Sequence, residues 1–415
     1  VRILFSIDFK QAFDSINIPC ITKTLQKFGF GPNFIKWIEI INTKRQAYVK
    51  NGGYLSYKFD MTNGVRQGCP ISPQLFVLVV EVLARKITQD VQISGLNPHL
   101  GTSPLKISQY ADDTTLFLKD MCELNKSIQH LDSFSKFSHL FLNLSKSFAM
   151  ATNGASYDTS NGIVQFKDRI KVLGIWFSNK MEAGEIEDNW ISRIDNICKT
   201  FSRWSRRDLT LIGKVQIIKT FGFSTLNHVM QSISLPNQVL EQLNRLFFRF
   251  LWKKRFNNKK AFEKVKRKVM YNNFETGGLN MIDIQKTQDS IFLSWAEQFI
   301  SSPISPWKEI AVFLLKDVGA ITAFRSSVCY KNFKGLGSIP SSFWRNVLIK
   351  WLQYANNSDE LIIKSNDPLF NNKLISYKNE PLFLPSCIKA GILKVCDVVP
   401  DGSLVSLNQF IDHVG

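Results

Sequence analysis

Two short strand-like runs, Ile107 to Tyr110 and Thr114 to Leu118, are separated only by Ala111-Asp112-Asp113. So brief a polar break between strand-like runs predicts two strands joined by a tight turn, with adjacent acids at its tip. A further apolar run over residues 2 to 8 reads as a short buried strand that also ends on a carboxylate, Asp8. Alone, a strand-end aspartate is usually a turn former. If these strands are neighbours in one sheet, three carboxylates converge at its margin. Clustered like charges repel and raise one another's pKa unless a cation neutralises them. Hard divalent ions such as Mg2+ take oxygen ligands from one or two carboxylates and from substrate phosphates. Two such ions roughly 4 Å apart can activate a hydroxyl and stabilise a leaving pyrophosphate during in-line phosphoryl transfer.

The charge distribution points the same way. The chain carries +18 overall, and between Lys199 and Lys268 ten lysines and seven arginines meet only Asp208, Glu241 and Glu263, so this one segment holds +14. Aromatic residues (Phe201, Trp204, Phe247, Phe248, Phe250, Trp252) are interleaved among the cations. A solvated helix face is the plain alternative, but the concentration, the aromatics and the scarcity of acids favour a nucleic-acid partner. Arg206, Arg207, Lys214, Lys253, Lys254 and Arg255 are the candidate phosphate contacts.

At 415 residues and 44% hydrophobic, the chain can bury substantial cores and has length for two or three domains. Its longest apolar stretches, Leu75 to Leu83 and Leu246 to Trp252, are too short or too charged at their edges to cross a bilayer. Seven scattered cysteines lack zinc-site spacing, which predicts reduced thiols in an intracellular protein. The chain opens on Val1 with no signal-like segment, the expectation for a piece of something longer.

Along the chain, a helix is expected after the first strand. Pro19 sits in its break or opens the next helix, over Ile21 to Phe28, and Gly29 to Pro32 form a turn. Tyr54 to Phe59 alternate as an exposed-edge strand would. Gly64 to Pro73 form a loop leading into a buried helix over Leu75 to Ala84. Leu124 to Phe141 have amphipathic helical spacing, and Lys171 to Phe177, with Gly174 inside, read as another strand. After residue 185 the pattern is almost wholly helical; Val239, Leu240, Leu243, Leu246, Phe247, Phe250 and Leu251 recur at steps of three and four. Beyond about residue 300, Pro and Ser become frequent, which predicts a boundary there.

The run Phe5-Ser6-Ile7-Asp8-Phe9-Lys10-Gln11-Ala12-Phe13-Asp14-Ser15-Ile16 resembles the first palm motif of reverse transcriptases of non-LTR retrotransposons, group II introns and retrons. Gly64-Val65-Arg66-Gln67-Gly68-Cys69-Pro70-Ile71-Ser72-Pro73 is similar to their second motif, and Gln109-Tyr110-Ala111-Asp112-Asp113-Thr114 to the third. Asn143-Leu144-Ser145-Lys146-Ser147 and Val172-Leu173-Gly174-Ile175 resemble the two that follow. Five motifs in family order are far more specific than any one of them. Leu209 to Lys219 resemble the thumb helix of LINE-type enzymes, and Phe250-Leu251-Trp252 and Gly277-Gly278-Leu279-Asn280-Met281 their post-thumb segment; Pro381-Leu382-Phe383 and Gly391 to Asp397 resemble their carboxy-terminal regions less specifically.

The resemblance implies an α/β (α+β) polymerase palm with an antiparallel sheet over 1–180, a basic helical thumb and post-thumb segment over 181–300, and a mainly helical carboxy-terminal region over 301–415. It implies two Mg2+ ions, for which Mn2+ can substitute, held by Asp8, Asp112 and Asp113 with the carbonyl of Phe9. Phe13 would exclude a 2′-hydroxyl. Arg66, Gln67, Gly68 and Tyr110 would shape the nucleotide pocket, Lys146 would protonate pyrophosphate, and Leu173 and Gly174 would lie on the primer-holding strand. His139 departs from the family, which usually has glycine there. The implied partners are an RNA template, a DNA primer at a nicked target and dNTPs, with no membrane. The implied setting is the nucleus and cytoplasm, with fingers and any endonuclease outside this chain. A group II intron-type maturase, or an idle RNA-binding remnant of a decayed element, are the alternatives.

Overall fold

The computed structural model describes residues 2–96, 104–152, 164–179, 187–253, 263–303, 305–354 and 364–399. They divide into two compact units, 1–185 and 186–415. The first is a mixed α/β unit. Its sheet contains β1 (Ile3–Ile7), β2 (Ile107–Tyr110), β3 (Asp113–Leu118), β4 (Phe148–Ala151) and β5 (Gln165–Phe166), in the order β2-β3-β1-β4-β5. All neighbours are antiparallel except β4 and β5, which run parallel.

Alternation explains why β1 sits centrally. Ile3, Phe5 and Ile7 are buried while Leu4 and Ser6 are only partly so, the period-two pattern of a strand packed on one face. That buried face meets α2 (Ile18–Lys27), α4 (Ser72–Gln89) and α5 (Met121–Ser138) in one core that includes Leu25, Phe76, Leu83, Leu131 and Phe134. Before α2 lies the single turn α1 (Ala12–Ser15), and after it α3 (Pro32–Asn42). Pro19 falls in the first turn of α2, where its missing N–H would have had no helical partner. At the other end of the unit, α5 stops because His139 takes φ 63, the left-handed conformation that usually falls to glycine at a helix end.

Two expected strands take other forms. The Lys171 to Phe177 run is a hairpin, β6 (Arg169–Val172) against β7 (Ile175–Ser178), with Val172 paired to Ile175. Leu173 and Gly174 make its two-residue turn, both at positive φ, as a turn of this length and twist requires. Tyr54 to Phe59 do not form one strand either. Tyr54–Leu55 pair with Lys50–Asn51, and Phe59–Asp60 pair with Gln46–Ala47. No burial alternates along the run, because every residue of it is exposed.

The second unit is mainly helical: α6 (Ser192–Trp204), α7 (Leu211–Ile217), α8 (Ser224–Met230), α9 (Asn237–Trp252), α10 (Ile284–Ser301) and α11 (Ser342–Tyr354), with shorter helical turns between. Thr210 caps α7 by accepting the Gly213 N–H at 3.1 Å. A π-helical turn, Ile218–Phe223, joins α7 to α8. Within it, a Cβ on Gly222 would lie 2.9 Å from the ring of Phe201, so only glycine admits that ring. Phe201 in turn stacks on Phe250 of α9 with centroids 4.3 Å apart. A second core runs from Phe292, Ala296 and Phe299 of α10 through Leu315 to Leu352, across the position near 300 where composition shifts. Among the described residues, no helix is long and apolar enough to cross a membrane, and all seven cysteines are free.

Candidate active site

The β1–β3 register steps from Ile3 opposite Leu118 to Ile7 opposite Thr114, so its next step sets Asp8 opposite Asp113. Facing residues of an antiparallel pair share a face, with Cβ atoms about 5 Å apart. On the other side of β3, Tyr110 pairs with Asp113, leaving Ala111-Asp112 as a two-residue turn with Ala111 at φ 54. The sheet thus brings all three aspartates to one end of its central strands. Asp112 and Asp113 are exposed and Asp8 is half-buried.

The electrostatics match that placement. The Asp113 carboxyl is pushed above the usual aspartate range, first by partial burial and then by the charges of Asp112 and Asp8. Of these causes, the like-charge contribution is the one a bound cation would relieve. The donor set, three oxygen acids crowded at a strand end, suits a hard divalent ion. As the side chains stand, no three acids, histidines or cysteines among the described residues are drawn together to ligand spacing.

Asp8 is fixed by a segment in which only Lys146 had been singled out. Its N–H donates to Ser147 Oγ at 3.0 Å, its carbonyl accepts from the Asn143 N–H at 2.8 Å, and its Oδ2 accepts from Asn143 Nδ2 at 3.0 Å. Ser147 is fully buried, whereas Lys146 between these two anchors is exposed. Asn143 and Ser147 are therefore positioning residues, and the fourth motif was the signal for them. Phe9 bridges Leu142, but the hydrogen bonds of that bridge run through Asp8 and Lys10, so the Phe9 carbonyl stands outside them.

Phe13 on α1 is half-buried and stacks on Phe76 of α4, centroids 4.3 Å apart, so it belongs to the core margin while keeping an exposed side. The loop after it is tied to α1 by backbone: the Gly64 N–H donates to Ile16 O at 2.8 Å and the Val65 N–H to Phe13 O at 2.7 Å. At Gly64 a Cβ would lie 2.6 Å from Asp14 O, and φ is +83, so close approach and conformation both demand glycine. At Gly68 φ is +81 but the space beside it is open. Gly64 thus packs against α1, while Gly68 leaves its backbone open to solvent. Arg66 and Gln67 are exposed; Gln67 Nε2 reaches Asp14 Oδ1 at 3.5 Å, the outer limit of a hydrogen bond. Arg45, which the sequence did not single out, is 2% exposed and donates to the carbonyls of Gly64 at 2.7 Å and Asn63 at 3.1 Å. Burial and the neighbouring Arg66 charge lower its pKa. Tyr110 is exposed beside Asp113, and Leu173 is exposed at the tip of the β6–β7 hairpin.

In the second unit, Arg206 and Arg207 are exposed, with Arg207 over the Trp204 ring at 4.9 Å. Lys214 is different. It is 8% exposed, and its ammonium donates to the carbonyls of Lys253 at 2.6 Å and Leu251 at 3.2 Å, capping the carboxy-terminal end of α9. Burial lowers its pKa. An ammonium spent on a helix end is not an exposed phosphate contact, which corrects the sequence expectation. Lys253 is half-buried, and Lys254 and Arg255 lie outside the described residues.

Residues 1–177 match the family model described as reverse transcriptase (RNA-dependent DNA polymerase). The chain is 25% identical over 256 residues to the transposon TX1 uncharacterized 149 kDa protein of Xenopus laevis, covering 60% of this chain and 19% of that protein. It is 27% identical over 255 residues to the retrovirus-related Pol polyprotein from type-2 retrotransposable element R2DM of Drosophila melanogaster, covering 58% of this chain and 23% of the relative. With the corresponding Pol polyprotein from type-1 element R2 of Popillia japonica, identity is 24% over 254 residues, covering 58% and 40%. The chain thus spans less than half the length of each of these relatives.

Proposed function

Residues 1–177 form a reverse-transcriptase domain related to the Pol proteins of non-LTR retrotransposons, and from that premise we propose that the protein is an RNA-directed DNA polymerase. It would extend a DNA primer at a nicked target on an RNA template, with nucleotidyl transfer at the ends of β1 and β3. The observation that carries this reading is the register that sets Asp8 opposite Asp113, with Asp112 in the adjoining turn and the Asp113 pKa raised by partial burial and then by both neighbours. A pair of Mg2+ or Mn2+ ions, when bound, would supply activation of the primer hydroxyl and neutralisation of the pyrophosphate charge.

The chain's own residues do the positioning. Asn143 and Ser147 hold Asp8 from its backbone and its carboxylate, so that one ligand is oriented before substrate arrives. Phe13, braced by Phe76, places a rigid ring where the sugar of an incoming nucleotide would sit and so disfavours a 2′-hydroxyl. The open space at Gly68 leaves room for the nucleotide against backbone, and Arg66, Gln67 and Tyr110 would contact it. Lys146 offers an exposed ammonium to the leaving pyrophosphate. The Leu173-Gly174 turn supports the primer end, and the cationic surface at Arg206 and Arg207 tracks the nucleic-acid backbone without reading sequence. In this reading 1–180 is the palm and 181–300 the thumb.

Primer extension by the full-length protein tests it. Asp112→Asn should cut Mg2+-dependent synthesis by roughly 10²-fold or more while RNA binding is retained, since the variant removes a metal ligand and leaves the basic segment intact. Extension within about tenfold of wild type would defeat the assignment.

A further inference from the structure

Residues 44–60 form a hairpin to which the polymerase chemistry gives no role. Lys50–Asn51 and Tyr54–Leu55 close on Gly52-Gly53, both glycines at positive φ, and Gln46–Ala47 pair with Phe59–Asp60 at the base. Between the two ladders Ala47 pairs with Phe59 but Lys50 with Leu55, so two residues on one strand oppose three on the other, a bulge that increases local twist. Apart from Arg45 and Ala47, every residue from 44 to 60 is exposed. Tyr54 and Tyr57 are 84% and 97% exposed, and Tyr48, Val49, Leu55 and Phe59 are each at least half exposed. A two-stranded ladder without a buried face is marginal in water. So many large side chains on it mark a surface that is covered in use.

Charge decides what covers it. No acid occurs between Glu39 and Asp60, while Lys44, Lys50 and Lys58 are exposed and enter no ion pair among the described residues. Aromatic rings alternating with unneutralised cations suit single-stranded nucleic acid, whose bases offer flat faces for stacking between charged phosphates. A duplex hides those faces. The hairpin's position agrees: the Met61 N–H donates to Arg45 O at 2.8 Å, and the Arg45 guanidinium holds the carbonyls of Asn63 and Gly64, just before Arg66-Gln67-Gly68. We propose that the 44–60 hairpin is a stacking surface for the single-stranded template, with Tyr48, Tyr54 and Tyr57 taking bases and the three lysines taking phosphates. That the strand is a template rests on the polymerase reading; the stacking itself does not.

The test uses the full-length protein in EDTA, so that catalysis does not enter, at raised salt, where phosphate contacts of the basic helical segment are weakened. The probe is a fluorescein-labelled 12-mer oligouridylate, with a blunt RNA duplex for comparison. Tyr54→Ala/Tyr57→Ala should weaken oligouridylate binding by roughly tenfold or more and duplex binding by less than about twofold. Tyr54→Phe/Tyr57→Phe should bind as wild type, because the ring and not the hydroxyl stacks. Unchanged single-strand affinity in the alanine variant overturns the proposal, as does an equal loss on duplex. Altered self-association by sedimentation with unaltered RNA affinity would mark a protein contact and also overturn it. The Asp112→Asn protein should bind the oligomer normally, so a failure here and a failure of the polymerase reading are separately visible.

Discussion

Asp113→Asn should make the protein more stable and inactive at once. In the folded chain Asp113 faces Asp8 across the β1–β3 register and adjoins Asp112, and its carboxyl is held above the usual range. Two unit charges roughly 5 Å apart repel by about 0.8 kcal/mol at the dielectric of water and about 3 kcal/mol at an effective dielectric of 20. Asp113 is exposed, so the lower value applies, further reduced by salt. Removing the charge should therefore stabilise the fold by about 0.5–1 kcal/mol without divalent ions. The sign with pH follows from the raised pKa. Asp113 contributes most to stability when protonated, below the unfolded value of about 3.9, and that contribution is lost as pH rises through its folded pKa. Urea melts without Mg2+ at low ionic strength, at several pH values, read this directly. The variant should exceed wild type near neutrality, and the gap should close toward pH 4 and in high salt. Mg2+ should then raise wild-type stability and leave the variant nearly unmoved. A variant less stable than wild type at neutral pH, or a gap indifferent to pH and salt, would refute the like-charge account.

Lys214→Met should lower the stability of the helical unit by about 1–3 kcal/mol, because two carbonyls at the end of α9 lose a charged donor. RNA affinity of the folded variant should change by less than about twofold by anisotropy; a larger loss would return Lys214 to phosphate binding. His139→Gly should stabilise the first unit by about 0.5–1 kcal/mol, since φ 63 strains a β-carbon and suits glycine. A lower melting temperature would show that the contact of His139 with the Phe141 ring outweighs that strain.

Much of the site was legible because its constraints are local. Asp8 follows a period-two strand, and Asp112 lies in a turn too short to be anything else with Asp113 opening the strand after it, so their meeting needed only that β1 and β3 be neighbours. The β6–β7 hairpin was hidden because Leu173 occupies a left-handed turn position normally marked by Asn, Asp or Gly, leaving the apolar run unbroken to the eye. Lys214 misled for a different reason. Composition sees a lysine in a basic segment, whereas its fate depends on a helix end almost forty residues away, at Leu251 and Lys253. Arg45 and Ser147 act through backbone atoms of segments remote in sequence, which no spacing rule anticipates. The family motifs did point to the Asn143–Ser147 stretch, though only its lysine carried an expected role.

The Arg45 clasp has a consequence for how this chain can vary. Both ends of the excursion from Arg45 to Asn63 are gathered at one point, by the Met61 amide on the Arg45 carbonyl and by the guanidinium on Asn63 and Gly64. Whatever happens between those ends is mechanically insulated from α1, because the carbonyls of Phe13 in α1 and of Ile16 just after it hold Val65 and Gly64 in place. Lengthening the excursion costs only loop-closure entropy, about 0.6 kcal/mol for each doubling. The hairpin is therefore an exchangeable cassette: it can be grown, trimmed or swapped to suit a different nucleic acid while the acids at the ends of β1 and β3 keep their register.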